Sequence, residues 1–219
     1  MNSLQRNCLV AGSTGLIGNL LIEQLVQSDN KVTALSRYEL SSSNNLLTFK
    51  KIDFENEESF KEIFTGISDA FICLGTTIKK AGSQENFRKV DVDYCLSLAK
   101  AASIAKVPNL SIVTSIGADS SSNNFYLKCK GEIEDKISKL DFKSLSIFRP
   151  GLLIGARKEK RLGESVGQFL QPWLIDPFLR GSANKYRSVK GIELASTMME
   201  YSGKQQGRKF YYFEDLIRN

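Results

Sequence analysis

Histidine is absent from this chain of 219 residues. Without an imidazole, the chain can form no Ser-His-Asp triad, no Cys-His nucleophile pair and no histidine-ligated zinc site. Proton transfer must therefore use tyrosine, lysine, carboxylates or cysteine. The lack of one residue type thus removes several mechanisms before any motif is considered.

Paired cysteines and long apolar runs are also missing. The four cysteines lie far apart, with no Cys-x-x-Cys pair, at Cys8, Cys73, Cys95 and Cys129. This spacing favours reduced thiols over a metal centre, so we expect no bound metal. No apolar run approaches membrane-spanning length, and the amino terminus leads directly into an apolar segment without a secretory leader. These absences predict a cytoplasmic protein without a membrane partner.

The overall composition is that of a globular domain. Hydrophobic residues make up 42% of the chain and charged residues 25%, and the length suits one α/β domain. The net charge is +6, but lysine and arginine are spread along the chain without a long basic tract. We therefore expect no nucleic-acid partner.

The most informative stretch is residues 7–18, where a short apolar run ends at a glycine and two more glycines follow at three-residue intervals. Apolar residues at helical spacing come next, which predicts strand, turn and helix. Gly12 and Gly15 would let a pyrophosphate approach bare backbone, and Gly18 would let the helix pack on the strand. Free amides would then bind the phosphates, which predicts dinucleotide contacts from Gly12, Ser13, Thr14, Gly15, Leu16, Ile17 and Gly18. A purely structural turn is the alternative.

Apolar strands alternate with helical patterns along the chain, which predicts an α/β fold with a Rossmann-type doubly wound parallel sheet and a small C-terminal elaboration. We expect one NAD(P)-binding domain over residues 1–219. Its cofactor-binding core would cover about 1–150, and a small substrate or cap portion about 151–219. The fourth strand leads to Leu74, Gly75 and Thr76, where ligands of such sheets collect.

The second strand ends at Ser36 and Arg37, where an NAD site usually carries an acidic residue. A guanidinium suits a 2′-phosphate, so we expect NADP(H) to be preferred over NAD(H). Arg37 as a solvated loop residue is the alternative. Asp53, after the third strand, would either contact the adenine amino group or cap the following helix.

Tyr126 and Lys130 lie four residues apart in a predicted helix, so both side chains can face one site. A neighbouring ammonium favours phenolate and would lower the pKa of a tyrosine toward the useful range. Ser115, at the end of the fifth strand, would bind the same substrate oxygen. Tyr186 and Lys190 repeat the spacing, but in a predicted strand and turn that would hold them about 13 Å apart.

Several motifs occur in one order along the chain: the glycine turn, Leu74-Gly75-Thr76-Thr77, Val90-Asp91, Ser115, Phe125-Tyr126-Leu127 with Lys130-Gly131-Glu132, and Arg149-Pro150-Gly151. Through these motifs the chain resembles the small atypical group of the short-chain dehydrogenase/reductase superfamily. Within that group it is similar to the branch of the oxidoreductase-type HIV Tat-interacting protein and its bacterial relatives.

The resemblance implies a role for each matching residue. The glycines would hold the pyrophosphate, Arg37 the 2′-phosphate and Asp53 the adenine, with Leu74 and Gly75 flanking the adenosine. Tyr126 would be the proton donor, and Lys130 would bind the nicotinamide ribose and tune the tyrosine. Ser115 would orient the carbonyl, a role open also to Thr114, and Pro150 would lie beside the nicotinamide.

Two functions follow from these expectations. In the first, the chain is an NADPH-dependent oxidoreductase that reduces a carbonyl-type small molecule. In the second, it is a catalytically weak NADP(H)-binding regulator that acts through a protein partner. The fold alone does not choose between them.

Overall fold

The computed structural model describes residues 5–60, 62–155 and 186–217. Within these residues the strands are β1 (Asn7–Ala11), β2 (Lys31–Ser36), β3 (Leu47–Lys51), β4 (Asp69–Ile72), β5 (Asn109–Val113), β6 (Ser144–Phe148), β7 (Leu153–Ile154), β8 (Val189–Lys190) and β9 (Gly207–Tyr211). The helices are α1 (Leu16–Gln27), α2 (Ile78–Ala81), α3 (Gln84–Arg88), α4 (Cys95–Ile104), α5 (Phe125–Ile137), α6 (Gly191–Tyr201) and α7 (Phe213–Leu216).

Seven of these strands form one sheet in the order β3-β2-β1-β4-β5-β6-β9, and every neighbouring pair is parallel. The chain runs outward from β1 to β3, returns to β4 on the other side of β1, and continues to β9. This order confirms the Rossmann-type doubly wound sheet. The crevice between the carboxyl ends of β1 and β4 is its topological switch point.

Strand β1 shows why the sheet is buried on both faces. Cys8 and Val10 belong to the core cluster that includes α1 and α6, whereas Leu9 and Ala11 belong to the cluster on the other face, with α4 and α5. Successive side chains of a strand point to opposite faces, so one apolar run supplies both cores. The first helix and the first strand are thereby fixed against each other, with the glycine turn between them.

Residues 84–104 form a long helix with one irregularity. It begins as α3, widens into a π-helical turn at Lys89–Tyr94 and continues as α4. Such turns add one residue to a helix and are frequent at functional sites. The helix expected near Asn56 is instead a short 3₁₀ turn at Glu57–Phe60.

Part of the chain after residue 150 belongs to the sheet and its flanking helices. Strand β9 pairs in parallel with β6, and α6 buries Leu194 and Met198 in the same cluster as Leu21 of α1. A helix and a strand from this portion therefore complete the Rossmann body. Residues 156–185, which make up much of the expected cap, lie outside the described residues.

In the part of the chain that the structure describes, no helix has both the length and the apolar character needed to cross a bilayer.

Candidate active site

The glycine turn brings main chain from two strands into close contact. Gly12 has a φ of +88°, and a Cβ added there would lie 2.5 Å from the carbonyl oxygen of Cys73, at the end of β4. A Cβ on Gly18 would lie 2.2 Å from the carbonyl oxygen of Gly12. Both positions therefore require glycine. Gly15 precedes α1 in an extended conformation and no side chain caps the helix, so the first N–H groups of α1 are left for another acceptor.

Most side chains of the same turn are packed or hydrogen-bonded within the protein. The Ser13 hydroxyl is buried and donates to the carbonyl of Leu35 at 2.7 Å. Ile17 is buried in the core, Leu16 is half-buried and Thr14 is exposed. A phosphate at this turn would therefore contact the backbone amides of Ser13, Leu16 and Ile17 and not their side chains.

Two of the residues expected around the adenosine are exposed. Arg37 follows β2, with its guanidinium 5.8 Å from the ring of Tyr38. Ser36 is buried, and its hydroxyl accepts the N–H of Tyr38 at 3.0 Å. Asp53 accepts the N–H of Glu55 at 3.0 Å, so the carboxylate caps the turn that follows β3. Its contact with adenine remains a prediction.

The loop after β4 contains the next set of expected residues. The strand ends at Ile72, two residues before Leu74. The backbone N–H of Thr76 donates to Asp91 at 2.9 Å, and the hydroxyl of Thr77 caps α2 by accepting the N–H of Lys80 at 3.1 Å. The loop is therefore held at Thr76 and Thr77.

Helix α5 presents Tyr126 and Lys130 on one face, as the spacing predicts. Asn124 caps the helix by accepting the N–H of Leu127. The ammonium of Lys130 lies 5.9 Å from the ring centroid of Tyr126. A Cβ on Gly131 would come within 2.0 Å of the backbone N of Ser120, so glycine lets α5 pack directly on the loop that follows Ser115.

The second Tyr-x-x-x-Lys pair has no such geometry. Tyr186 is exposed, and Lys190 ends the short strand β8. Tyr186 and Lys190 therefore do not share a helical face, in agreement with the strand and turn expected there from the sequence.

Asp91 was not expected to belong to the site. Its carboxylate lies 2.7 Å from the Lys130 ammonium, and both side chains are almost completely buried. Burial opposes the charge on Lys130, but the carboxylate outweighs it and raises the pKa of the lysine above its usual value. A signal was present in the sequence: Asp91 lies four residues after Phe87 and four before Cys95, on the apolar face of the helix.

The hydroxyls of Thr114 and Ser115 have different environments. Thr114 is buried and donates to Glu134 at 2.5 Å. Glu134 also pairs with Arg149 through two contacts, one of them from Nε at 3.0 Å. Ser115 is half-buried, and its hydroxyl contacts the carbonyl of Ile116 at 3.2 Å. Thr114 is thus committed to a buried polar network, which leaves Ser115 as the more accessible hydroxyl.

Pro150 is buried at the end of β6, and its carbonyl accepts the N–H of Ile116 at 2.9 Å. The loops after β5 and β6 are therefore joined. Together with the glycine turn and the 74–76 loop, they line one edge of the sheet.

A groove of about 260 Å³ opens at the opposite edge, among residues that include Asn7, Lys31 and Gly66. This edge carries the amino ends of β1 and β2 and none of the expected site residues. Ligands of doubly wound sheets bind beyond the carboxyl ends, so we assign the groove no part in the chemistry.

Comparison with solved structures supports the fold. The chain superposes on the oxidoreductase ylbE of Lactococcus lactis with a TM-score of 0.65 and 21% identity, covering 89% of this chain and 83% of that one. It superposes on WbmH of Bordetella bronchiseptica, solved in complex with NAD⁺, with a TM-score of 0.72 and 14% identity, covering 95% and 76%.

Comparison with known sequences gives closer relatives. Protein HTATIP2 of Rattus norvegicus is 32% identical over 206 residues, 92% of this chain and 85% of its own length. Protein FMP52, mitochondrial, of Candida albicans is 36% identical over 179 residues, 78% of each chain. Its name gives no support to the expected cytoplasmic location, which stays a prediction.

A family model described as NAD(P)H-binding matches residues 12–162. This match covers the glycine turn, the 74–76 loop and helix α5, and together with the relatives it confirms the resemblance seen in the motifs. The chain therefore belongs to the NAD(P)H-binding family whose fold is that of the atypical short-chain dehydrogenases/reductases.

Proposed function

We propose that the chain is an NADPH-dependent oxidoreductase that reduces a carbonyl-type small molecule, with Tyr126 as the proton donor. One observation carries the proposal. Tyr126 and Lys130 share a face of α5, and the Lys130 ammonium is held by a buried carboxylate rather than left mobile in solvent. A phenol beside a fixed cation is an acid-base arrangement that needs no histidine.

The glycine turn suits a dinucleotide. A Cβ at Gly12 or Gly18 would collide with backbone, and α1 begins without a side-chain cap, so its amides would hold the pyrophosphate. Ser13, Thr14, Leu16 and Ile17 would contribute through the same backbone, and Gly15, whose N–H donates to the carbonyl of Gly12 at 3.0 Å, would hold the turn in shape. Ser36 and Arg37 would face the adenosine ribose. When bound, the cofactor supplies hydride.

The remaining steps belong to side chains of this protein. The Tyr126 phenol would donate a proton to the substrate oxygen, and the Ser115 hydroxyl would donate a hydrogen bond to the same atom. Lys130 would also bind the nicotinamide ribose. Leu74, Gly75 and Thr76 would flank the adenosine side, with Asp53 near the adenine and Pro150 beside the nicotinamide.

Spectrophotometry tests this function. Oxidation of NADPH is followed by its absorbance in the presence of a panel of aldehydes, ketones and quinones. Turnover with at least one compound supports the oxidoreductase. Tight binding of NADPH without turnover across the panel contradicts it and supports the regulatory protein that acts through a partner.

Replacing Arg37 with alanine is expected to weaken NADPH binding while leaving NADH binding unchanged. Loss of one charge-assisted contact to a phosphate corresponds to about a tenfold rise in Kd. Calorimetric titration of the wild type and the variant with both coenzymes measures the effect. Arg208→Ala, which removes an exposed arginine from β9 at the far edge of the sheet, is the matched control. Equal loss of NADPH and NADH affinity in the Arg37 variant would refute the assignment.

A further inference from the structure

One carboxylate connects two parts of the candidate site. Oδ1 of Asp91 lies 2.7 Å from the ammonium nitrogen of Lys130, and Oδ2 accepts the backbone N–H of Thr76 at 2.9 Å. The first contact reaches the helix that carries Tyr126, and the second reaches the loop after β4. A shift of either element therefore breaks a bond to the same side chain.

The helix is irregular at this carboxylate. Asp91 lies within the π-helical turn, where both it and Val92 are buried. It also lies beneath the 74–76 loop, since a Cβ added to Gly75 would be 3.6 Å from its Oδ1 atom. The added residue of a π turn changes which side chains face inward, and here it accompanies a buried acid at the edge of the sheet where ligands bind.

The pairing also changes the electrostatics around Tyr126. Asp91, Tyr126 and Cys95 are the titratable groups that act on Lys130. Burial raises the pKa of the Cys95 thiol to about 12, so this group is neutral near pH 7. The Lys130 charge is thus opposed by Asp91 at 2.7 Å. The ion pair therefore fixes the ammonium 5.9 Å from the ring centroid of Tyr126.

We propose that Asp91 is a positioning residue that holds the Lys130 ammonium beside Tyr126 and fixes the 74–76 loop, so that both elements keep one arrangement. The catalytic half of this inference rests on the proposed oxidoreductase activity. The positioning half does not, because it concerns how cofactor-binding elements are held together.

Replacing Asp91 with asparagine tests both halves. Thr76 and Lys130 contact different oxygens of Asp91, and a carboxamide replaces one of these two acceptors with an NH₂ donor. The loop or the lysine loses its partner, and the Kd for NADPH is expected to rise about tenfold. Fluorescence titration with NADPH measures this value without any turnover.

The pH profile of kcat provides the second readout. The Asp91 carboxylate raises the pKa of Lys130, so in the wild type the ammonium beside Tyr126 is lost only at high pH. Without the carboxylate, the pKa of Lys130 falls and the ammonium is lost at lower pH. The basic limb is therefore expected to move down by about one pH unit or more in the variant.

Asp93→Asn is the matched control, because Asp93 lies two positions along the same turn but pairs with Arg88 at the surface. It is expected to change neither the NADPH Kd nor the basic limb. The double variant Asp91→Asn/Lys130→Met removes both members of the buried pair. Its urea midpoint is expected to exceed that of Asp91→Asn alone, because no uncompensated cation remains.

Either of two results would overturn the inference. One is wild-type NADPH affinity in the Asp91 variant. The other is a kcat lowered equally at every pH, which a merely structural role would produce. If the wild type reduces no compound, the oxidoreductase proposal fails while the NADPH titration still decides whether Asp91 positions the site.

Discussion

Replacing Tyr126 with phenylalanine is expected to lower kcat for NADPH-dependent reduction by about a thousandfold, the range associated with loss of a positioned general acid. The variant keeps the aromatic ring that packs on Phe87, with centroids 5.8 Å apart, so the fold and the NADPH Kd should stay near wild type. The change removes one hydroxyl from the candidate site. Rates of NADPH oxidation at saturating substrate measure the effect.

Tyr186→Phe is the control for this variant. Tyr186 has the same spacing to a lysine, at Lys190, yet it is exposed and not on a helix with that lysine. The control is expected to keep the wild-type kcat. A Tyr126 variant that turns over at the wild-type rate would show that another group delivers the proton.

The second large effect is expected at the glycine turn. Gly12→Ala places a methyl group 2.5 Å from the carbonyl oxygen of Cys73, at a φ of +88°. Neither backbone segment can move without disturbing β1 or β4. We expect the free energy of unfolding to fall by about 3 kcal/mol or more and the affinity for NADPH to fall by about a hundredfold or more.

Gly66→Ala separates the effect of the positive φ from the effect of the steric collision at Gly12. Gly66 has a similar φ of +74°, but nothing lies within 4 Å of the added Cβ. Its cost is limited to backbone strain, about 1 kcal/mol, and NADPH affinity should not change. Urea unfolding and calorimetric titration of the two variants make the comparison. Equal stability of the two variants would contradict the close approach at Gly12.

Local patterns predicted the first half of the fold well. The apolar run before Gly12 and the helical spacing after Gly18 define β1 and α1, and the structure places the glycines where backbone segments approach each other. The doubly wound parallel sheet followed from the alternation of strands and helices. Each of these features depends on neighbours in sequence, which periodicity reports directly.

Features that depend on tertiary contacts were not predictable in the same way. A five-residue segment such as Gly207–Tyr211 carries no signal of its neighbour, so its place beside β6 appears only in the folded chain. The ion pair between Asp91 and Lys130 joins residues 39 positions apart. The π-helical turn at Lys89–Tyr94 has no signal in hydrophobic periodicity either.

In the candidate site, too, local geometry was predictable from the sequence and tertiary contacts were not. Spacing placed Tyr126 and Lys130 on one face of α5 because helical geometry fixes such pairs. It left Thr114 and Ser115 undecided, since both end the same strand. The buried contact of Thr114 with Glu134, a residue of α5, distinguishes them in the structure.

A crystal structure of the complex with NADPH tests the central claim most directly. We predict the pyrophosphate on backbone amides of the turn between Gly12 and Gly18, the 2′-phosphate beside Arg37, and the nicotinamide C4 facing the crevice that contains Tyr126. A substrate carbonyl carbon would then fit about 3–3.5 Å from C4. A dinucleotide bound elsewhere, or one whose nicotinamide points away from Tyr126, would contradict it.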